Sequence, residues 1–186
     1  MTELAQKAKD TSTGIADKKS IIAALQTLIK SKQYWRIRMA AVSQLRNIQE
    51  APYDSKTRQL LLTVIKSETS WLRAAAITSL GMTKDSAYAP LYISYFNDIS
   101  DRVINAAAVA LGKTKSVKAF DALLKLKDKP SWKNQSLMHA LSGMAQLGDE
   151  RGVSIALDAL KDNTSPRWFL SNGWDYPFVA MQTLAT

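Results

Sequence analysis

The chain has 186 residues, of which 46% are hydrophobic and 22% charged, a composition typical of a globular protein with a buried core. It contains no cysteine, which excludes disulfides and thiolate chemistry and leaves the compartment open. No apolar run approaches the roughly 18 residues of a membrane span, and residues 1–14 lack the apolar stretch of a signal peptide. The formal net charge of +9 divides into +6 over residues 1–70, +4 over residues 71–130 and −1 over residues 131–186.

In chain order, the predicted elements are helices that come in pairs. Ser20–Lys30 is expected to be the second helix of a first pair, whose first helix is Thr2–Lys9 or is missing. The stretch Arg38–Val42, followed by Leu45, predicts the first helix of the next pair, and Lys56–Lys66 predicts its second. These segments carry apolar residues at helical spacing.

A repeat becomes clear in the middle of the chain, where residues 71–84 align with residues 102–115 without a gap, at a shift of 31. A further shift of 30 reaches residues 132–142, and a last partial copy lies at residues 179–184. The copies at residues 71–84 and 102–115 are rich in alanine, which has the highest helix propensity and lets neighbouring helices approach closely. Each copy therefore predicts the first helix of a pair. Gly81 and Gly112 follow these helices, so we expect a positive φ at both.

The second helix of each later pair shows an apolar stripe opposite a charged one. These helices are predicted at Ala89–Phe96, Ser116–Lys127 and Gly152–Lys161. A single pair cannot bury its stripe, whereas stacked pairs bury a continuous core. The predicted fold is therefore all-α, an α-α superhelix or solenoid of about five helix-pair repeats. We expect one domain, 1–186, with units at roughly 1–32, 33–68, 69–99, 100–129 and 130–162 and a partial unit at 163–186.

Residues that carry catalytic chemistry are scarce. The chain has one histidine, His139, whereas a zinc site needs about three or four ligands, usually His and Cys. It contains no phosphate-binding loop, H-E-x-x-H or G-x-S-x-G motif. We therefore predict no catalytic, cofactor-binding or metal-binding residue in this segment, and a packed or merely exposed position for His139.

Aromatic and basic side chains supply the candidate contact surface. Trp35, Trp71 and Trp132 are each expected to open a first helix, either as anchors for a partner or as plugs between stacked repeats. The long connection Asn163–Tyr176 departs from the short ones elsewhere, and long loops often carry function. The predicted interaction surface consists of Trp168, Trp174, Tyr176, Trp132, Lys118 and Lys125.

The repeat pattern resembles HEAT repeats, which form armadillo-like α-α superhelices. Three segments, Lys129–Ser136, Gln146–Gly152 and Trp174–Pro177, also resemble the C-terminal HEAT-like region of bacterial zinc aminopeptidases of the aminopeptidase N type. That resemblance implies a non-catalytic domain that packs on the catalytic domain and shapes access to its active site. The zinc and the H-E-x-x-H motif of such an enzyme would lie upstream, so no catalytic residue carries over to this chain.

Three hypotheses for function follow from these observations. The first is the C-terminal domain of such a metallopeptidase, and we expect the array to be an excerpt because it stops after an unpaired first helix. The second is a free-standing adaptor that binds a protein partner. The third is a nucleic-acid-binding module, which the charge argues against because the basic excess fades around Trp168 and Trp174. Scattered lysines more often solvate the outer faces of helices.

Overall fold

A computed structural model describes residues 15–49 and 53–161. The chain falls into two compact units, one on each side of the Thr83–Lys84 bond, and each is described by itself below. All regular secondary structure in the described ranges is helical, without a strand, so the predicted all-α class is confirmed. The expectations for Thr2–Lys9 and for residues 163–186 lie outside these ranges.

The first unit contains four described helices: α1 (Ile15–Lys30), α2 (Trp35–Ile48), α3 (Ser55–Val64) and α4 (Ser70–Gly81). Helix α2 packs against both α1 and α4, and α3 packs against α4. The apolar stripes read from the sequence form the core, and large side chains such as Ile29, Leu45 and Leu61 are at most 1% exposed. Asp54 begins α3 as its N-cap and accepts a hydrogen bond from the Thr57 N–H, at 2.7 Å.

The second unit contains five described helices: α5 (Ala89–Ser94), α6 (Asp101–Lys113), α7 (Ala119–Lys127), α8 (Gln135–Leu147) and α9 (Arg151–Lys161). Single 3₁₀ turns precede and follow α5, at Ser86–Tyr88 and Tyr95–Asn97. Helix α8 lies at the centre of this unit and packs against α6, α7 and α9, while α5 packs against α6. The helix predicted at Ala89–Phe96 is thus confirmed, with its last residues tightened into a 3₁₀ turn.

Helices α6 and α8 touch through glycine. A Cβ added to Gly112 would lie 2.1 Å from the carbonyl oxygen of Gly143, and one added to Gly143 would lie 2.7 Å from the carbonyl oxygen of Ala108. Side-chain Cβ atoms essentially never approach backbone atoms so closely. The small residues of the repeat therefore bring the two backbones into direct contact, as the alanine-rich pattern predicted.

The predicted role of the repeat glycines was wrong in one respect. Gly81 is the last residue of α4 and Gly112 lies within the last turn of α6, and neither has a positive φ. The left-handed residues are Lys84 and Lys115, three positions later, with φ of 54° and 51°. The requirement for glycine at position 112 is close approach between helices and not backbone conformation.

The turn after each of these helices is the same in both copies of the repeat. The hydroxyl group of Thr83 donates to the carbonyl oxygen of Leu80 at 2.7 Å, and that of Thr114 donates to Leu111 at 2.6 Å. The same two carbonyl oxygens also accept the backbone N–H groups of Thr83 and Thr114, at 3.0 and 3.1 Å, so each threonine closes the last turn of its helix through both groups. The Thr-Lys pairs at residues 83–84 and 114–115, which continue the alignment of the repeat, therefore form the turns that end these two helices.

Several helix boundaries differ from the prediction. The helix expected at Ser20–Lys30 begins at Ile15, and the helix expected at Lys56–Lys66 ends at Val64. The helix expected at Ser116–Lys127 begins at Ala119, because residues 116–118 form a turn. Trp132 was expected to open a first helix but lies in a 3₁₀ turn, Trp132–Asn134, and α8 begins only at Gln135. Lys133 and Asn134 have φ of 49° and 54°, and two successive left-handed residues interrupt an α-helix.

Candidate interaction surface

An open groove runs along α7 in the second unit, and we call it the basic groove. Its opposite wall is formed by the end of α5 and the 3₁₀ turn after it, and its volume is about 440 Å³. The residues that line it are Ile93, Phe96, Asn97, Lys118, Asp121, Ala122, Lys125, Leu126 and Lys129. Two of the predicted surface residues, Lys118 and Lys125, thus meet at one site.

Most of the accessible surface inside the basic groove is apolar, although charged side chains surround it. Phe96 and Leu126 are buried beneath it, while Ile93 and Ala122 are half-buried and reachable from solvent. Asn97 and four charged side chains, three lysines and one aspartate, complete the lining, and all five are exposed. A surface of this kind combines apolar area, which favours burial, with a positive rim, which attracts negative charge.

The three lysines of the basic groove are not equivalent. The Lys129 ammonium donates a hydrogen bond to the carbonyl oxygen of Phe96 at 2.9 Å and another to the Asn97 side chain. Lys129 therefore holds the 3₁₀ turn after α5, and two of the three N–H donors of its ammonium group are already occupied. Neither Lys118 nor Lys125 has an ammonium group within 4.0 Å of a carboxylate in the described ranges. These two cations are available to a partner.

Asp121 lies between the two available lysines along α7. The Arg151 guanidinium lies over the ring of the neighbouring Phe120, 3.9 Å from the ring centroid. The pKa of Arg151 is raised, first by its hydrogen bonds to Asp149 and also by the charge of Asp121. The same bonds hold the pKa of Asp149 at about 2. Asp121 is the one acidic side chain among the described residues that line the basic groove, and its charge also acts on Arg151.

Trp132 is exposed but does not line the basic groove. Its side chain is 68% exposed, and the Lys133 ammonium lies 4.2 Å from its ring centroid, within the range of a cation–π contact. An indole with this exposure does not fill a gap inside the second unit. Trp168, Trp174 and Tyr176, the remaining predicted contact residues, lie outside the described ranges.

The two earlier tryptophans form a pair in the first unit. The rings of Trp35 and Trp71 stack with centroids 5.7 Å apart and an interplanar angle of 20°. Trp35 is half-buried and Trp71 is 40% exposed, and the Arg36 guanidinium lies 5.3 Å from the Trp35 ring centroid. The first turns of α2 and α4 are therefore in contact through these two rings.

His139 is packed in α8 and is 6% exposed. Burial lowers its pKa, and Asp101 opposes that shift only partly. The Nε2 atom lies 3.5 Å from Asp101 Oδ1, a separation too long for a good hydrogen bond, and Nε2 has no hydrogen-bond partner. A neutral, enclosed imidazole with one distant carboxylate does not form a triad.

Residues 15–49 and 53–161 contain no group of three His, Cys, Asp or Glu side chains that could hold a metal ion. The donor set in these ranges does not fit a zinc ion. Among the helices that the structure describes, none is both long and apolar enough to cross a bilayer.

Part of this site was missed by the sequence patterns. Lys129, Ile93 and Phe96 were not predicted as surface residues, although Lys129 follows Lys125 by one helical turn. Its contact with Phe96 joins residues 33 positions apart, about one repeat length. A separation of about one repeat length is the sequence signal that could have predicted the contact between Lys129 and Phe96.

The fold is that of a helical-repeat scaffold, and its second unit carries an exposed groove. Residues 57–142, which extend from α3 into α8, match the family model for HEAT repeats, and this match supports the HEAT-repeat family for the chain. HEAT repeats are generally non-catalytic and typically mediate contacts between proteins. A comparison with curated proteins finds no match, so no relative supports the resemblance to aminopeptidases.

Proposed function

We propose that this chain is a non-catalytic scaffold that binds a protein partner through the basic groove. The observation that carries the proposal is an accessible apolar surface beside two unpaired lysines, Lys118 and Lys125, on one helix of a HEAT-like array. Apolar area contributes affinity in proportion to its burial, and the positive rim contributes rate and selectivity. The partner is either another domain of the same polypeptide or a separate protein.

The side chains of the groove support binding and not turnover. The described lining contains lysine, aspartate, asparagine and apolar residues, without a histidine, cysteine, serine or threonine. A nucleophile needs an adjacent base and general acid–base catalysis needs a positioned pair, and neither arrangement is present in this lining. The only described histidine is enclosed in α8 and does not line the groove.

Site-specific photo-crosslinking in cells tests the proposal. A photoreactive residue at Ala122, inside the groove, should capture a defined protein partner, while the same residue at Ala23, exposed on α1, should not. The double variant Lys118→Glu/Lys125→Glu should abolish the Ala122 product. The matched control Lys56→Glu/Lys66→Glu changes the net charge equally on exposed positions of the first unit and should retain it.

Loss of the Ala122 product in both double variants would point to a general charge effect and would contradict a role for the groove. Capture at Ala23 and at Ala122 with equal yield would contradict it as well. Circular dichroism of each variant confirms that the helices are intact before crosslinking is compared.

A finer hypothesis concerns the identity of the partner surface. We propose that the scaffold is the C-terminal domain of a zinc aminopeptidase, packed on the catalytic domain and shaping access to its active site. The support is the resemblance of Lys129–Ser136, Gln146–Gly152 and Trp174–Pro177 to that family's helical region. The test is the open reading frame itself: an H-E-x-x-H motif encoded upstream and in frame supports the hypothesis, and a frame without a peptidase domain leaves a free-standing adaptor.

A further inference from the structure

The exposed stripe of α7 carries a charge pattern. Lys118 immediately precedes the helix in a helical conformation, and Asp121 and Lys125 follow on the same side at spacings of three and four residues. With a rise of about 1.5 Å per residue, the two lysines are about 10 Å apart along the helix axis. The stripe therefore reads positive, negative, positive at a fixed spacing along the basic groove.

We propose that the basic groove binds an amphipathic helix of a protein partner whose facing stripe reads acidic, basic, acidic. Its two acidic side chains pair with Lys118 and Lys125, its basic side chain pairs with Asp121, and its apolar side chains cover Ile93 and Ala122. The proposal rests on the proposed function and adds to it the chemistry of the partner.

A helical partner fits the spacing better than an extended one. On a helix aligned with α7, residues seven positions apart face the same side and are separated by the same distance as the two lysines. An extended segment covers that distance in about three residues. Residues three apart on a strand point to opposite faces, so a strand cannot present both acidic groups to α7.

The central aspartate also argues against a polyanion. A nucleic acid presents phosphate groups along its whole length, so one of them would face the Asp121 carboxylate. Like charges held at such a distance repel each other. Lys129, which could have extended the basic stretch, already donates hydrogen bonds to Phe96 and Asn97. A stripe of mixed charge selects a partner of mixed charge.

The test measures binding of designed helical peptides to the full chain by fluorescence anisotropy at low ionic strength. One peptide carries Glu-x-x-Lys-x-x-x-Glu and a second carries the reversed spacing Glu-x-x-x-Lys-x-x-Glu, since the two helices can align in either direction. A third carries Glu-x-x-Glu-x-x-x-Glu on the same scaffold. One of the mixed peptides should bind the wild-type chain about threefold to tenfold more tightly than the all-acidic peptide, as expected for a few exposed ion pairs.

The variant Asp121→Lys should reverse this order, so that the all-acidic peptide binds more tightly than either mixed peptide. The variant Asp121→Asn should reduce the preference without reversing it. Asp121 is exposed, so neither substitution disturbs the core, and a thermal melt checks this. A reversal of rank does not depend on the absolute affinity of a designed peptide.

An unchanged rank order in Asp121→Lys overturns the inference, as does tighter binding of a single-stranded oligonucleotide than of every peptide. Absence of binding by all three peptides at high micromolar concentration overturns it too. None of these results removes the Ala122 crosslink, so the proposed function then stands with a different kind of partner. If the Ala122 crosslink instead forms equally well in the Lys118→Glu/Lys125→Glu variant, the proposed function itself has failed.

Discussion

Replacing Gly112 by alanine should destabilise the chain by about 2 kcal/mol. The added Cβ would lie 2.1 Å from the Gly143 carbonyl oxygen and 2.9 Å from the Gln146 Cβ, whereas ordinary contact begins at 3.4 Å. Helix α8 must then move away by more than about 1 Å, and overpacking of this kind costs about 1–3 kcal/mol. We expect the upper end, because a backbone carbonyl cannot rotate aside as a side chain can. Alanine recovers up to about 1 kcal/mol of helix propensity, which leaves the stated net loss.

Thermal unfolding followed by far-ultraviolet circular dichroism measures this effect. A change of 1 kcal/mol shifts Tm by roughly 2–4 °C in a chain of this size, so Gly112→Ala should lower Tm by about 4–8 °C. Gly152→Ala is the matched control, because its Cβ would meet only the Met144 side chain, whose nearest atom lies at an ordinary 3.4 Å. The control should melt at the wild-type temperature or slightly above it.

A Gly112→Ala protein that melts at or above the wild-type temperature, with an unchanged control, would refute this reasoning. The two helices would then be farther apart than the contact between Gly112 and Gly143 requires. Equal losses in both variants would instead indicate that glycine matters at each site for a reason other than packing.

Three further predictions concern the second unit. Ala107→Leu adds a large side chain at a position that is 0% exposed, so we expect a loss of about 1–3 kcal/mol or more; an unchanged Tm would contradict the packing. The pKa of His139 is lowered in the folded state, so the unfolded state binds more protons below about pH 6.5 and stability falls as pH falls through that value. His139→Gln should flatten this dependence, and equal slopes between pH 5 and 7 would refute it. Lys115→Ala removes hydrogen bonds from the ammonium group to the carbonyl oxygens of Gln146 and Leu147 and should cost about 0.5–1 kcal/mol, more than Lys84→Ala at the matching repeat position.

The helices could be predicted because helix formation depends mainly on residues that are close together in the sequence. Alanine-rich stretches alternate with amphipathic ones at a nearly constant shift, and helix propensity and periodicity act within a few residues. Where local signals conflict, the prediction was wrong: Trp132 aligned with Trp71 in the repeat, but left-handed backbone at Lys133 and Asn134 delays the helix to Gln135.

The groove could be predicted only in part, because it depends on how successive helix pairs stack. Lys118 and Lys125 were identified from their positions on one charged stripe. That Lys129 holds the turn at Phe96 and Asn97 follows from the distance between elements about one repeat apart, which no local pattern encodes. The misassigned role of Gly112 has the same origin, since a glycine before a turn and a glycine beneath a neighbouring helix look alike in a sequence.

The stacked pair of Trp35 and Trp71 has an optical consequence. Two indole rings held nearly parallel with centroids 5.7 Å apart couple their electronic transitions, which produces a split signal in the ultraviolet circular dichroism spectrum. That signal requires the two rings to keep their mutual distance and angle, so it disappears when α2 and α4 separate. The first unit therefore contains its own unlabelled reporter of tertiary structure, lost in either Trp35→Phe or Trp71→Phe even where the helices themselves remain intact.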